Sequence, residues 1–112
     1  MTIVVAGFID LENEDNRASV LKGAKPYIEA AWQERGCVAY NWSPDPFNPN
    51  RIHVFEEWAE EQDLAEHLVG RPYIDMLGHL RGARIIRCAQ TRCPRGPCCR
   101  LRSKRAWILF WS

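Results

Sequence analysis

Two ionisable side chains, Glu56 and His67, are the residues of this sequence that best suit proton transfer. Histidine has an unperturbed pKa of about 6.5, so it can act as a base near neutral pH. Glu56 shares one face of a predicted strand with Ile52, Val54 and Trp58. If that face is buried, the Glu56 carboxyl group has a perturbed pKa or a hydrogen-bonded partner, for which His67 is the candidate. Both residues also fit plainer roles: a helix histidine bonded to a carbonyl or carboxylate group, and a strand-end glutamate that reaches solvent.

Three further side chains could hold an aromatic ligand beside such a base. Trp58 and Tyr73 could stack on a flat ring, although large aromatic side chains also dominate protein cores. Asn41 could hydrogen-bond a ligand hydroxyl group, although an asparagine beside a loop often bonds to the loop backbone instead. The sequence thus predicts a site with two groups of residues: catalytic His67 and Glu56, and substrate-binding Trp58, Tyr73 and Asn41.

The hydrophobic patterns predict the elements that would position these residues. Runs rich in β-branched or alternating apolar residues predict strands at Thr2–Leu11, Cys37–Ser43, Arg51–Trp58 and Ala83–Thr91. Apolar spacings of three and four predict helices at about Asp15–Arg35, at Glu60–Gly70 and from Pro72 onward, where Tyr73, Leu77 and Leu80 point inward. The resulting order, β-α-β-β-α-(α)-β, predicts an α+β fold of the ferredoxin-like type with an antiparallel sheet.

Both faces of the two predicted strands Cys37–Ser43 and Arg51–Trp58 carry large apolar side chains. In the predicted strand Arg51–Trp58, Phe55 lies on the face opposite to Trp58. The strand before it is predicted to place three apolar or aromatic residues on one face: Val38, Tyr40 and Trp42. A sheet of this kind is buried on both sides, so we expect helices over one face and a second subunit over the other.

Length and composition describe one modest globular domain. The chain has 112 residues, of which 46% are hydrophobic and 26% are charged, and these values are typical of soluble domains. Its first residues lack a positively charged segment and reach acidic residues by Asp10, which argues against a secretory signal or a membrane span. A cytoplasmic location without membrane association is therefore the expectation.

Charge and cysteine divide the chain into two unequal parts. Residues 1–82 contain all 14 acidic residues and seven basic ones, a net charge of −7, whereas residues 83–112 contain eight basic residues and no acid. Four of the five cysteines also lie in the second part. So abrupt a change predicts a boundary. We place a domain at residues 1–91 and an atypical basic tail, rich in Cys, Arg and Trp, at residues 92–112.

The pattern of the tail does not match an established kind of site. Cys88, Cys93, Cys98 and Cys99 lack the closely spaced pairs of structural zinc sites, so no metal is expected. The basic run could attract nucleic acid by charge, but no binding motif accompanies it and the acidic body would oppose it, so nucleic acid is not an expected partner. A stretch of this composition would also arise from an out-of-frame reading of a GC-rich gene, which sequencing of the coding DNA would reveal.

The segment Gly36–Tyr73 contains a set of short motifs. They are a GC-x-x-Y strand at Gly36–Tyr40, an E-x-W strand end at Glu56 and Trp58, an acid-rich helix start, and an A-x-H-L run at Ala65–Leu68. In this combination the segment resembles the antibiotic biosynthesis monooxygenase family of the dimeric α+β barrel superfamily. The resemblance implies a homodimer whose two sheets form a barrel, with a pocket between sheet and helices in each monomer. It also implies a cofactor-independent oxygenase that converts quinols or polycyclic phenols to quinones with O2.

This chain departs from the family pattern in two places. Many members carry S-P-H-[FY] after the helix, whereas this chain has Gly-Arg-Pro-Tyr at residues 70–73 and lacks the second histidine. Heme-degrading relatives use Asn, Trp and His at positions that here hold Ala6 or Gly7, His67 and about Leu77. The resemblance therefore does not extend to heme degradation.

Oxygen chemistry without a cofactor requires a substrate that is itself the reductant. Ground-state dioxygen is a triplet that reacts slowly with closed-shell molecules, so most oxygenases use a metal or a flavin. Residues 1–82 contain no metal-ligand cluster at useful spacing and no glycine-rich nucleotide motif, so no cofactor is expected. A deprotonated phenol or quinol can instead give an electron to oxygen, and the protein then supplies a base and a dry aromatic slot. The alternative is a non-catalytic dimeric α+β barrel module that binds an aromatic small molecule.

Overall fold

An antiparallel sheet, covered on one face by helices, forms the body of the chain. The computed structural model describes residues 2–95 and residues 107–108. Within them the strands are β1 (Thr2–Leu11), β2 (Cys37–Pro44), β3 (Arg51–Trp58), β4 (Ile85–Arg95) and β5 (Trp107–Ile108). The helices are α1 (Arg17–Trp32), α2 (Glu61–Val69) and α3 (Arg71–Arg81), and a 3-10 turn (Glu14–Asn16) leads into α1. This order confirms the predicted β-α-β-β-α-(α)-β arrangement.

The strand order places β3 and β1 in the interior of the sheet. The order is β2-β3-β1-β4-β5, and every neighbouring pair within it is antiparallel, which confirms the ferredoxin-like α+β fold. Glu56 of β3 pairs with Val5 of β1 on one side and with Tyr40 of β2 on the other. All three are buried, so Glu56 occupies the interior of the sheet on the face that the helices cover.

The terminal region extends beyond the predicted domain. β4 continues past Thr91 to Arg95, so Cys88 and Cys93 belong to a strand of the sheet. The short strand β5 pairs with β4 and was not predicted from the sequence. Residues 96–106 and 109–112 lie outside the described residues, and so do the metal, nucleic-acid and reading-frame predictions that concern them.

The helix-covered side of the sheet packs into two neighbouring apolar clusters. The first joins the sheet to α1 and α3 and contains Ile9, Leu11, Val20, Ala24, Ile52, Val54, Met76, Leu80 and Cys88. The second joins the sheet to α1 and α2 and contains Ile3, Val5, Ala31, Tyr40, Trp58 and Leu64. Burial of one large apolar side chain contributes about 2 kcal/mol, so these clusters hold the helices against the sheet.

One prediction for strand β2 is wrong. Val38 was expected to share a face with Tyr40 and Trp42, but the register of β2 against β3 shifts at the start of the strand. A β-bulge of this kind breaks the alternation of side chains. Val38 is therefore 56% exposed, whereas Tyr40 is buried.

Gly36, between α1 and β2, has a backbone conformation that side chains rarely adopt. Its φ is +78°, and a Cβ atom at this position would overlap the Asp63 carboxylate group. We expect Gly36→Ala to lower the free energy of unfolding by about 1–3 kcal/mol, because it adds left-handed strain and displaces Asp63. Urea denaturation measures this effect.

Gly78→Ala is the matched control for that substitution. Gly78 lies in α3, and a Cβ atom there would meet open space. Alanine at this position should raise the free energy of unfolding by up to about 1 kcal/mol, because it is the better helix former. Equal effects of the two substitutions would contradict the conformational role of Gly36.

Candidate active site

A narrow cavity lies between the helix-covered face of the sheet and helix α3. Its walls combine aliphatic, aromatic and carboxyl side chains, namely Ile9, Tyr40, Trp42, Val54, Glu56, Tyr73, Met76, Leu77 and Leu80. The space open to the centre of a water molecule is about 20 Å³, which is room for about one water. The Glu56 carboxyl group thus borders a narrow, mostly aromatic and aliphatic interior.

A larger hollow lies at the surface beside the turn that precedes α1. It has a volume of about 640 Å³, and its walls are polar, namely Glu12, Asn13, Glu14, Asn16, Asn50 and Arg84. This hollow has no aromatic wall and is open to solvent, so it cannot keep water away from a reacting ring. The narrow cavity is therefore the better candidate site, although it is smaller.

Glu56 is a buried cavity residue, and its environment raises its pKa. The residue is 4% exposed, and Trp58 Nε1 donates a hydrogen bond to Glu56 Oε1 at 3.0 Å. Burial is the main reason that the pKa of Glu56 rises to about 7, and the negative charge of Glu34 adds to the rise. The hydrogen bond from Trp58 and the positive charge of Arg92 act in the opposite direction. A carboxyl group with this pKa can both accept and return a proton near neutral pH.

His67 lies beside Glu56 and presents an open ring nitrogen to it. Its Nδ1 atom lies 2.9 Å from Glu34 Oε1, whereas its Nε2 atom lies 3.7 Å from Glu56 Oε1 and has no hydrogen-bond partner. Burial lowers the pKa of His67 below its usual value, against the opposing effect of Glu34. The lowered pKa favours the neutral ring, to which we assign the tautomer with Nδ1 donating to Glu34 and the lone pair on Nε2. Nε2 thus faces Glu56 as an unbonded acceptor, at a separation beyond hydrogen-bond distance.

Three aromatic rings fix the orientation of the His67 ring. The ring centroid of His67 lies 4.5 Å from that of Trp58, 5.4 Å from that of Tyr40 and 5.3 Å from that of Tyr73. Tilted and edge contacts at these separations are favourable for aromatic rings. Trp58 and His67 are both essentially inaccessible to solvent. The Nε2 atom of the His67 ring therefore faces Glu56 in the absence of bulk water.

The start of helix α2 sets the direction in which His67 points. The backbone N–H of Glu60 donates to Asp63 Oδ2 at 3.2 Å, an arrangement that belongs to the capping box of a helix N-terminus. From this start, Asp63, Leu64 and His67 lie on the buried face of α2, as spacings of one and three to four residues require.

The five predicted site residues lie in three different places. Glu56 and Tyr73 line the cavity. His67 and Trp58 lie outside its lining and contact Glu56 from behind, Trp58 through its hydrogen bond. Asn41 is exposed and pairs with Phe55 on the face of the sheet that the helices do not cover. The structure therefore brings four of the predicted residues together and places Asn41 apart from them.

Three residues of the cluster were not predicted from the sequence as site residues. Tyr40 and Trp42 alternate with polar residues on β2, and that alternation was a usable signal for inward-facing side chains. Glu34 follows α1 and lies 33 positions from His67 in the chain. No local pattern connects two residues so far apart, so the Glu34–His67 contact depends on the tertiary fold.

The described part of the chain contains neither a metal-ligand cluster nor a helix suited to crossing a membrane. Across residues 2–95 and 107–108, no group of three or more His, Cys, Asp or Glu side chains is arranged to hold a metal ion. In the same residues, no helix combines the length and the apolar character that crossing a membrane would need.

The raised pKa of Glu56 predicts a pH-dependent stability. The ordinary pKa of this carboxyl group is 4.5, whereas burial raises it to about 7 in the folded protein. As the pH rises, the unfolded chain therefore releases the proton at a lower pH than the folded protein does. The contribution of the protonated Glu56 carboxyl group to the free energy of unfolding is complete below pH 4.5 and is lost as the pH rises through 7. Between pH 5 and pH 8 the wild type should lose about 2 kcal/mol of unfolding free energy relative to Glu56→Gln, which cannot ionise.

Urea denaturation of both proteins at pH 5 and pH 8 measures this difference. His67, whose pKa is lowered by folding, contributes in the opposite direction, since it costs stability as the pH falls below its usual value. That contribution is present in both proteins and largely cancels in the comparison. If the difference in unfolding free energy between the two proteins is the same at pH 5 and at pH 8, the raised pKa of Glu56 is contradicted.

Comparison with protein families identifies the class of protein. The sequence profile described as antibiotic biosynthesis monooxygenase matches residues 2–76, a span that contains Glu34, Glu56, His67 and Tyr73. The chain therefore belongs to the antibiotic biosynthesis monooxygenase family, as the motifs of Gly36–Tyr73 implied. No curated protein matches the chain significantly.

Solved structures share this fold at low sequence identity. A protein from Deinococcus radiodurans, provisionally described as an antibiotic biosynthesis monooxygenase, has a TM-score of 0.77 and 18% identity over 90% of this chain and 99% of its own. A conserved protein from Methanosarcina mazei has a TM-score of 0.77 and 19% identity over 86% of this chain and 94% of its own. A provisional antibiotic biosynthesis monooxygenase from Nitrosomonas europaea has a TM-score of 0.76 and 13% identity, with coverages of 86% and 90%. At these identities the likeness establishes the fold alone.

Proposed function

We propose that the protein is a monooxygenase that oxidises a phenol or a quinol to a quinone with O2, without a metal or a flavin. One observation carries the proposal: the buried carboxyl group of Glu56 borders a narrow cavity that has aromatic walls, and burial raises its pKa to about 7. Family membership supports a monooxygenase or a binding module of the same fold. The aromatic lining favours a flat ring as the ligand.

In the proposed reaction the substrate supplies all the electrons. Glu56 accepts the proton of a ring hydroxyl group, and the resulting phenolate gives one electron to O2. The substrate radical and superoxide combine at a ring carbon that carries hydrogen, which forms a peroxide. Loss of that hydrogen as a proton and cleavage of the O–O bond leave a carbonyl group on the ring and release the second oxygen atom as water. A phenol thus becomes a quinone, and a quinol becomes a hydroxyquinone.

The protein's own part in this sequence is proton management and exclusion of water. Glu56 touches the cavity, so we assign it the direct proton transfers: uptake from the hydroxyl group and return to the peroxide. We assign His67 a supporting role, because its Nε2 atom faces Glu56 and not the cavity. Tyr40 and Tyr73 wall the cavity, and burial raises the pKa of both phenol groups. They remain neutral at working pH and do not compete for the proton.

The cavity must widen before a ring enters, because its present volume holds about one water molecule. The wall formed by the sheet belongs to buried, hydrogen-bonded strands, whereas the wall formed by α3 includes Tyr73 and Leu77, which are half-buried. We propose that these two side chains rotate outward to admit the substrate. Rotation of partly exposed side chains is faster and less costly than displacement of a strand.

We also propose that the protein acts as a homodimer. The sheet face away from the helices carries Phe55, which is 37% exposed, beside Phe8 and Ala6 of β1. A partly apolar sheet face of this kind suits coverage by a second copy, as in other two-sided sheets. Sedimentation of the purified chain measures its mass, and the mass of one chain would contradict this part of the proposal.

Oxygen uptake tests the proposed function. The purified protein, treated with a chelator and checked for flavin by its absorbance, is mixed with a panel of quinols and polycyclic phenols in an oxygen electrode. We expect uptake with at least one compound, and one labelled atom per product molecule when ¹⁸O2 is used. Tight binding of these compounds without oxygen uptake would contradict the monooxygenase proposal and favour the non-catalytic binding module.

A further inference from the structure

We infer that Trp42 Nε1 is a binding group of the cavity, which donates a hydrogen bond to a second oxygen atom on the substrate ring. Its ligand is an aromatic ring with a hydroxyl group that meets Glu56 and an acceptor oxygen on the opposite side of the ring. This inference rests on the proposed function, because it concerns the same cavity. It adds a residue that fixes substrate orientation and selects among aromatic rings.

The indole N–H group of Trp42 is buried but has no hydrogen-bond partner. Trp42 lines the cavity, and its Nε1 atom is inaccessible to solvent and unbonded. A hydrogen-bond interaction with the Trp42 side chain opposes the rise in the pKa of Tyr40, so the Tyr40 hydroxyl group is a nearby acceptor, but the geometry between the two groups falls short of a full hydrogen bond. The indole nitrogen is a donor without acceptor capacity, so what it lacks is an acceptor atom.

An unbonded buried donor is uncommon and costly. Leaving such a group without a partner costs about 1–3 kcal/mol, and native structures contain few of them. Among the described side chains three polar atoms lack a hydrogen-bond partner: Trp42 Nε1, His67 Nε2 and Arg92 Nε. Of the three residues, Trp42 alone lines the cavity, whereas His67 Nε2 faces Glu56. An unbonded donor on a cavity wall is what a site for a ligand with an acceptor oxygen would leave open.

The sheet register makes Trp42 and Glu56 neighbours on the cavity side of the sheet. Trp42 pairs with Val54, and Tyr40 pairs with Glu56. Trp42 and Glu56 are therefore diagonal neighbours on adjacent strands, with backbones about 7–8 Å apart. The aliphatic residues Ile9 and Leu80 also line this cavity, so they can cover the carbon faces of the ring. In the proposed complex a ring with oxygen atoms at opposite positions spans Trp42 and Glu56 once the cavity has widened.

Binding of hydroquinone and 4-methylphenol to the wild type and to Trp42→Phe tests the inference. The two compounds have nearly the same shape, but 4-methylphenol has a methyl group where hydroquinone has its second hydroxyl group. Dissociation constants are measured by calorimetry under nitrogen, so that no oxidation occurs. We expect Trp42→Phe to reduce the preference for hydroquinone over 4-methylphenol by about tenfold, the effect of one hydrogen bond to a buried donor.

The wild type offers a second measurement that does not depend on the folding of a variant. The indole N–H signal of Trp42 in the NMR spectrum should move downfield with hydroquinone and much less with 4-methylphenol. Trp32 serves as the internal control, because its Nε1 atom already donates to the Tyr40 carbonyl oxygen at 2.7 Å. Its signal should stay in place with both compounds.

The outcomes separate this inference from the proposed function. An unchanged preference in Trp42→Phe, or an unmoved Trp42 signal while both compounds bind, would overturn the inference and leave the proposed function intact. Binding of neither compound would also overturn it, since a single ring with two oxygens is the ligand that it specifies. Oxygen uptake with polycyclic phenols would then show whether the proposed function fails as well.

Discussion

Glu56→Gln is expected to lower the rate of oxygen-dependent turnover by about 10²–10⁴-fold, the range typical of a lost general base. Glutamine keeps the size of the side chain, and its amide oxygen can still accept the hydrogen bond from Trp58 Nε1. It cannot accept a proton. His67 cannot take over by direct contact, because it lies outside the cavity lining and 3.7 Å from Glu56 Oε1.

The pH profile of the reaction distinguishes a base from a residue that only supports the fold. Glu56 must be ionised to accept a proton, so the wild-type rate should rise with pH through about 7, and the variant should lack this rise. Oxygen uptake between pH 5 and pH 9 measures both profiles. Glu57→Gln, at the next position of β3 and on the opposite face, is the matched control and should keep the wild-type rate. A rate of Glu56→Gln within twofold of the wild type would exclude the base role.

The same substitution links activity to stability. At pH 8 the ionised Glu56 carboxylate is an unfavourable buried charge, because its pKa is about 7 against an ordinary 4.5. Compared with the wild type, Glu56→Gln should therefore gain unfolding free energy between pH 5 and pH 8. The same substitution should lower turnover. Residues that lower stability and are kept in a cavity are characteristic of functional sites. A purely structural glutamate would not be expected to show both effects.

The order of strands and helices was predictable because each element carries its own local signal. Ile52, Val54, Glu56 and Trp58 alternate on β3, and the structure buries all four. The inward placement of Glu56 follows from that alternation, and its raised pKa follows from burial. Apolar spacings of three and four predicted the three helices in the same way.

The depth of each site residue was not predictable in the same way. Trp58 and Tyr73 carry the same aromatic signal, yet Trp58 is fully enclosed behind Glu56 and Tyr73 lines the cavity. The difference arises from how α2 and α3 pack on the sheet. Val38 illustrates a second limit, since a register shift at the start of β2 breaks the alternation there and Val38 is exposed. Alternation in a sequence indicates a face and gives no information about bulges or cavity walls.

Glu34 is the residue whose role depends most on tertiary structure, and it provides the second large expected effect. Its Oε1 atom accepts from His67 Nδ1 at 2.9 Å, and its side chain is 19% exposed. Glu34 therefore joins a buried histidine to the protein surface. By holding the proton on Nδ1 it leaves the lone pair on Nε2, opposite Glu56. Glu34 acts through His67 and is a positioning residue.

Glu34→Ala is expected to lower the turnover rate by about 10–100-fold, which corresponds to the loss of one hydrogen bond to a charged group. Without Glu34 the His67 ring has no partner at Nδ1, so the neutral ring can place its proton on Nε2 and present a donor to Glu56. Glu34→Gln should recover much of the rate, because its amide oxygen can still accept from Nδ1 although the charge is lost.

The tautomer of His67 provides a readout that a general loss of stability would not produce. In ¹⁵N NMR spectra of the wild type near pH 7, we expect the proton of the neutral His67 ring on Nδ1. Glu34→Ala should shift the population toward the Nε2–H form, and Glu34→Gln should restore the wild-type pattern. If Glu34→Ala retains both the Nδ1–H tautomer and the wild-type rate, Glu34 does not position His67. A lower rate with an unchanged tautomer would instead place the effect of Glu34 in its negative charge, which contributes to the raised pKa of Glu56.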